Sequence, residues 1–328
     1  MTSTRPLKIG VLGCANIAIR SIIPAIKELE NDFELIAVAS RSVEKASKVA
    51  KDFECKPYFS YDALINDQNI EAVYIPLPSG VQYPWILKAL AAGKHVYAEK
   101  SFCLTLEQAS VACELARKDQ LAVFEGYMFL YHRQLVEIVR CLNDPDFGEI
   151  RFISTCFGFP PLPPDNFRYD YGIGGGAIKD AAGYPVRLIR CLLGDTVELK
   201  TATVRRSPKG SSLWGSGYFA APNGVAAAVA FGFDNHYRCS LNVWGSKATL
   251  TADRVFTAGP NVDAVIRLNF QNGKEQVISI GVDNHFVNAL LLFRQSVYDE
   301  SERQRQTAFI ARQATDLQNF EDLSGIVL

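Results

Sequence analysis

The first residues with a chemical reading are Gly13-Cys14-Ala15-Asn16-Ile17-Ala18, a Gly-x-Ala-x-x-Ala turn of the kind that brings backbone amides up to a pyrophosphate. Gly13 supplies the tight turn. Ala15 and Ala18 are small enough for close backbone approach and for a helix to pack on its strand, so the phosphates meet a helix N-terminus. The next strand of the unit ends at Ser40-Arg41-Ser42, with Lys45 one helical step on, where an NAD site places Asp or Glu. A hydroxyl and two cations suit a 2′-phosphate better than a free ribose, because charge-assisted hydrogen bonds to phosphate are the stronger kind. The turn therefore reads as an NADP(H) site. Its plain alternatives are small residues that only ease packing, and a solvated helix start at Arg41 and Lys45.

Other chemistries find little support. Eight cysteines occur without a Cys-x-x-Cys pair, and four histidines are dispersed along the chain with none at metal-ligand spacing from another His, so no zinc or other metal site is expected. Lys plus Arg (34) nearly cancels Asp plus Glu (35), which supplies no broad field toward nucleic acid or an anionic membrane. No apolar run approaches the ~20 residues that cross a bilayer, and residues 1–8 lack a signal-peptide core; the expected address is cytoplasmic.

The elements that must position the turn follow from hydrophobic pattern. Segments 8–12, 33–40, 72–75, 95–98 and 122–124 are short β-rich runs, and helical patterns fit 43–52, 83–92 and 105–119 between them. Between the first two strands, Ile19, Ile22, Ile23, Ile26 and Leu29 recur at helical spacing. Strands alternating with helices build a parallel sheet covered on both faces. Beyond Gly126, helices at 133–142 and 181–193 flank a Pro/Gly-rich segment at 159–176. Strands at 201–206, 217–221, 225–233, 237–244, 248–252 and 265–270 follow, and helices near 286–297 and 306–317 close the chain. The expected architecture is α/β, with a dinucleotide-binding Rossmann domain over 1–125. An α+β domain over 126–328 carries an open, mostly antiparallel sheet for substrate binding and oligomerisation. Alternation along 237–244 puts Tyr237, Cys239, Leu241 and Val243 on one face, while Ala226, Ala228, Ala230 and Gly232 make a smooth neighbouring surface. A homodimer or homotetramer through this open sheet is expected.

At Ala91-Ala92-Gly93-Lys94-His95-Val96-Tyr97-Ala98-Glu99-Lys100 the sequence resembles the Gfo/Idh/MocA family, the glucose–fructose oxidoreductase and inositol dehydrogenase group. Glu125-Gly126-Tyr127-Met128-Phe129 and Gly174-Gly175-Gly176-Ala177-Ile178-Lys179-Asp180-Ala181-Ala182-Gly183-Tyr184 resemble it in the same order. The resemblance implies an oxidoreductase with a substrate held over a nicotinamide. Lys100 matches the family's active-site lysine, and Asp180 and Tyr184 fall on its Asp-x-x-x-His/Tyr motif, four residues apart on one helix face. Tyr184 in place of His, with Gly183-Tyr184-Pro185-Val186-Arg187 and Trp244-Gly245-Ser246, resembles the branch of nucleotide-sugar 3-ketoreductases. The substrate so implied is a nucleotide-linked keto-deoxysugar.

Hydride arriving at such a carbonyl leaves negative charge on its oxygen, which donors aimed there stabilise. Lys100 would supply charge, Tyr184 the proton, and Asp180 would orient Lys100 or a sugar hydroxyl. Glu99, Leu77, Pro78 and Gln82 are expected to line the cofactor. Ser101 replaces the family's proline after Lys100, which leaves the rigid turn there, and its cis peptide, open. Gln82 replaces a histidine beside the nicotinamide; it can hydrogen-bond but not titrate. Arg168, in the Pro-rich segment 159–171, is a candidate for a cofactor or substrate phosphate, or else a solvated side chain on a stiff linker. Two other functions remain open: an NADP-dependent free-sugar or dihydrodiol dehydrogenase of the same family, and a non-catalytic NADPH-sensing regulator, against which Lys100 and Tyr184 argue.

Overall fold

A computed structural model describes residues 5–326, which divide into two compact units. The first unit runs to Gly126 and resumes at Phe286–Ala314. Its sheet is built from β1 (Leu7–Leu12), β2 (Phe33–Ala39), β3 (Lys56–Tyr58), β4 (Ala72–Ile75), β5 (His95–Ala98) and β6 (Val123–Glu125), all parallel in the order β3-β2-β1-β4-β5-β6. Helices α1 (Ile23–Glu28), α2 (Val43–Asp52), α3 (Tyr61–Ile65), α4 (Ser79–Ala91) and α5 (Leu106–Lys118) connect the strands. Val73, Ile75, Val96, Ala98 and Val123 are buried in one core, the near-continuous apolar runs expected of strands covered on both faces. The strand order reverses between β1 and β4, the crevice where such sheets hold their ligands.

The helix after β1 departs from regular geometry. Residues 16–28 are helical, with a wide π-turn at Ala18–Ile22 leading into α1. Pro24 has no N–H for the carbonyl of Arg20, and in a regular α-helix its ring would collide with that carbonyl. Widening the turn before it removes the collision. Ile22, Ile23 and Ile26 still face the core, as their spacing predicts, while Ile19 and Leu29 are half-buried.

The second unit comprises Tyr127–His285 and the chain from Thr315. It contains α6 (Arg133–Leu142), β7 (Ile150–Gly158), α7 (Gly183–Leu193), β8 (Glu198–Arg206), β9 (Ser212–Ala220), β10 (Ala226–Gly232), β11 (Arg238–Gly245), β12 (Ala248–Asp253), β13 (Val265–Phe270) and β14 (Glu275–Ser279). Two helices follow, α8 (His285–Tyr298) and α9 (Glu300–Leu323), and then β15 (Ser324–Ile326). Nine strands form the sheet in the order β14-β13-β12-β11-β7-β10-β9-β8-β15, antiparallel except where β7 meets β10 and β8 meets β15. One face buries Phe157, Phe219, Val229, Leu241 and Val243 against Ala181, Val186 and Ile189 of the helical side. The other face leaves Trp214, Tyr218 and Trp244 exposed and Ala226, Ala228 and Ala230 half-buried.

Two expectations change. Residues 286–314, read as part of the second domain, pack with the first: Phe293 lies 5.5 Å from Tyr97 and 5.9 Å from Phe124, and the Arg294 side chain donates to the Asp32 carbonyl at 3.0 Å. An apolar helix face does not announce which sheet it covers. The central strand β7 and the edges β14 and β15 of the nine-stranded sheet, and the edge β3 of the first, add to the strands expected from pattern. Among the described residues no helix is long and apolar enough to cross a membrane, and no three His, Cys, Asp or Glu side chains gather as a metal site.

Candidate active site

The fingerprint turn has the geometry its residues predict. Gly13 has φ +133°, a conformation L side chains rarely adopt, and a Cβ there would stand 3.0 Å from Leu77 Cδ2 and 3.6 Å from Pro76 Cγ. The turn after β1 is thereby seated against the 76–78 segment after β4. The helix at 16–28 makes its first regular bond from the Ile19 N–H to the Ala15 carbonyl at 3.1 Å, and no side chain caps the turn that begins at Ala18. Asn16 is exposed and Ala15 and Ile17 are half-buried, so the helix presents its first N–H groups to whatever fills the crevice. Cys14 is buried with its thiol 3.7 Å from the Ala39 carbonyl; burial pushes its pKa up, and the Lys45 charge works in the opposite direction.

At the tip of β2, Ser40 Oγ accepts from the Ser42 N–H at 3.2 Å, and Ser42 Oγ caps α2 by accepting from the Lys45 N–H at 3.2 Å. The hydroxyls shape the loop. Arg41 and Lys45 are exposed beside it, with Arg41 also bonded to the Tyr61 phenol, whose pKa burial raises and Arg41 lowers. A glycine where only glycine fits, the helix start beside it and two cations at the strand tip fit the pyrophosphate and 2′-phosphate of NADP(H).

Lys100 follows β5 and is half-buried. The Lys100–Ser101 peptide is cis although residue 101 is not proline. Glu99 accepts from the Tyr74 hydroxyl at 2.8 Å. Gln82 corrects an expectation: it is wholly buried, and its Nε2 faces the carbonyls of Glu99, Ser101 and Phe102 instead of lining the crevice.

In the second unit the segment before α7 closes on three glycines. Gly174 is left-handed at φ +82°, and a Cβ on Gly175 would fall 2.5 Å from the Phe167 carbonyl oxygen and 2.6 Å from those of Arg168 and Asp170. The Gly175 and Gly176 N–H groups donate to the Asp170 and Arg168 carbonyls, each at 2.8 Å. Two 3₁₀ turns, Phe167–Tyr169 and Tyr171–Ile173, order a stretch that the sequence reads as a bare loop. Its consequence is a contact between two candidates named separately: Arg168 Nε donates to Asp180 Oδ2 at 2.7 Å.

Asp180 lies in a second π-turn, Ile178–Ala182, which again precedes a proline, here Pro185, for the same steric reason as at Pro24. Tyr184, four residues on, is buried among Tyr127, Phe129, Phe157 and Phe256, with ring centroids 4.8–5.8 Å away, and its hydroxyl lies 4.0 Å from the Met128 sulfur. A phenol in apolar surroundings with its polar end at one edge suits a donor aimed at a single acceptor. Sequence reasoning missed the Arg168–Asp180 pair and the polar residues around Lys100, namely Ser79, Gln82 in its actual role, and Glu125.

A parallel sheet with a dinucleotide turn at its reversal point, in a chain whose second unit is built on a large open sheet, defines a two-domain nicotinamide oxidoreductase. Residues 7–127 match the oxidoreductase family with an NAD-binding Rossmann fold, and residues 135–251 match the Gfo/Idh/MocA C-terminal domain. The chain belongs to the Gfo/Idh/MocA family. It is 36% identical over 294 residues to a dTDP-3,4-didehydro-2,6-dideoxy-α-D-glucose 3-reductase of Saccharopolyspora spinosa, covering 89% of this chain and 88% of that one. It is 30% identical to a D-xylose 1-dehydrogenase (NADP⁺) of Haloferax volcanii over 78% of each chain. A 3-ketoreductase of Actinomadura kijaniata, solved in complex with NADP and TDP-benzene, superposes with a TM-score of 0.94 at 30% identity, over 98% of this chain and 99% of that one.

Proposed function

We propose that the chain is an NADPH-dependent sugar-nucleotide 3-ketoreductase, acting in the cytoplasm on the C3 ketone of a dTDP-linked keto-deoxysugar. The observation that carries this reading is the similarity to dTDP-sugar 3-reductases across nearly the whole chain, together with Lys100 in its turn and Tyr184 in its aromatic pocket. Bound NADPH supplies the hydride. As the carbonyl carbon is reduced, its oxygen takes on negative charge; the Lys100 ammonium stabilises that charge and the Tyr184 hydroxyl delivers the proton. Asp180, held by Arg168, keeps its carboxylate fixed to accept from a sugar hydroxyl. Arg168 would in turn donate through its remaining guanidinium nitrogens to the substrate's diphosphate. Gln82, with its amide turned to backbone, takes no part in proton transfer.

The open face of the nine-stranded sheet, with Trp214, Tyr218 and Trp244 exposed around a half-buried alanine strip, is proposed to be covered by a second copy of the chain. Light scattering should give a dimer or tetramer that Trp244→Glu weakens; a wild-type monomer at micromolar concentration would refute it. Turnover on a panel of dTDP-linked 3-keto sugars and free pyranoses tests the substrate class. Reduction confined to the nucleotide-linked ketones supports the reading, and preference for a free sugar such as xylose favours a free-sugar dehydrogenase.

A further inference from the structure

The turn bearing Lys100 is gripped by buried polar side chains that the reaction itself does not use. On its buried face α4 carries Ser79 and Gln82, three residues apart, in the same stripe as the core residues Ile86, Ala89 and Leu90. Gln82 has no exposed surface at all, at 0%. Its Nε2 lies 2.9 Å from the Glu99 carbonyl oxygen, 2.5 Å from that of Ser101 and 3.1 Å from that of Phe102. Ser79 Oγ accepts from the Ser101 N–H at 3.1 Å, and from the end of β6 Glu125 Oε1 accepts from the Phe102 N–H at 2.8 Å. Backbone groups on both sides of Lys100 are thus tied to side chains of two different elements.

The direction of the Gln82 amide is fixed by its surroundings. Turned over, its oxygen would face three carbonyl oxygens; as it stands, two N–H bonds are shared among three acceptors. Three substitutes would do this less well. A carboxylate would be repelled, a methionine would leave the carbonyls without donors, and a histidine would offer one N–H and titrate. We propose that Gln82 is the positioning residue for Lys100: its buried amide draws the carbonyls of residues 99, 101 and 102 together and so sets where the Lys100 ammonium stands. The role assigned to Lys100 rests on the reductase reading, whereas the clamp itself rests on the contacts of Gln82 with backbone carbonyls. Being neutral, the clamp holds with equal strength across the working pH range.

Gln82→Met and Gln82→His test this. Three properties are measured: kcat and KM with a dTDP-linked 3-keto sugar, NADPH affinity by fluorescence, and the rate of Lys100 reductive methylation in cofactor-free protein by peptide mass spectrometry. Gln82→Met should lower kcat ~10-fold or more through misplacement of the charge, leave NADPH affinity within about twofold of wild type, since the phosphate contacts are untouched, and change the Lys100 labelling rate. Gln82→His should fold more readily and, because the position is wholly buried, add an acidic limb to the kcat profile below the ordinary histidine pKa of ~6.5. Unchanged kcat and Lys100 labelling in both variants would overturn the proposal. So would a loss of NADPH affinity equal to the loss in kcat with labelling unaltered, which marks a general structural role. Should wild type reduce no nucleotide-linked ketone, the reductase reading falls, while Lys100 labelling still decides the clamp.

Discussion

Breaking the Arg168–Asp180 pair from either side should strand a charge that the fold has half withdrawn from water. The side chains are 28% and 13% exposed, and the bond is short and direct at 2.7 Å. A fully exposed pair contributes well under ~1 kcal/mol, whereas cutting one partner of a fully buried pair costs ~3–5 kcal/mol. At this burial the structure places the cost between those limits, at ~1–3 kcal/mol for Arg168→Met or Asp180→Asn alone. The double variant removes both charges and leaves neither stranded, so its cost should fall short of the sum by ~1–2 kcal/mol. Urea unfolding followed by fluorescence supplies the four stabilities, provided the slopes agree. Arg168→Met should also lower kcat/KM for the nucleotide-linked substrate more than it lowers stability alone explains. A coupling below ~0.3 kcal/mol, with both single variants near wild-type activity, would refute the view that this contact fixes Asp180.

Other outcomes follow from the same geometry. Gly175→Ala sets a methyl against three carbonyl oxygens at 2.5–2.6 Å and should cost ~2–4 kcal/mol while disturbing Arg168; differential scanning calorimetry should show a lower Tm alongside reduced turnover. Arg41→Ala should raise KM for NADPH ~10-fold or more through loss of a phosphate contact and leave KM for the sugar unchanged, read by steady-state kinetics with each substrate varied. His285 is buried, and burial first, then the neighbouring His132, lowers its pKa to about 4, with Asp283 opposing. The unfolded chain therefore binds a proton below ~6.5 that the folded chain refuses until about 4. Stability should be level above that upper limit and decline as pH falls through the window, by up to about 3 kcal/mol from this group. His95 adds in the same direction, with burial the main cause. His285→Gln should flatten the decline in acid urea titrations, and an unchanged slope would count against the burial argument.

Five of the six strands of the nucleotide-binding sheet were legible in the sequence because strands buried on both faces write unbroken apolar runs, whereas the short, partly exposed edge strand β3 writes none; Gly13 needs its backbone conformation wherever it occurs. Much of the second unit was less legible. In β7 the alternation is blurred by Thr155, buried with its hydroxyl on the Ser240 carbonyl at 2.9 Å, while Phe152 and Cys156 occupy the open face. The closing helix was read at half its length because α9 buries Glu302, Gln306, Gln313 and Asp316, which interrupt its apolar stripe. Asp316 meets Arg190 at 2.6 Å, a partner 126 residues away that no local pattern supplies. At the site, Lys100, Asp180 and Tyr184 were named from motif, but not Arg168 as the partner of Asp180. Ser79 and Gln82 carried a signal of their own: two polar residues on an otherwise apolar helix stripe must spend their hydrogen bonds inside the protein.

The proposed reduction requires an ammonium and a phenol to serve one carbonyl oxygen. Turnover of a dTDP-linked 3-keto sugar should be compared in Lys100→Met, Tyr184→Phe and the combined variant, with NADPH binding as the control. Each single change should lower kcat ~10²-fold or more, and the double variant should lose less than the product of the two, since groups acting on one oxygen are not additive. Near-normal kcat in both single variants, with NADPH still bound, would contradict it.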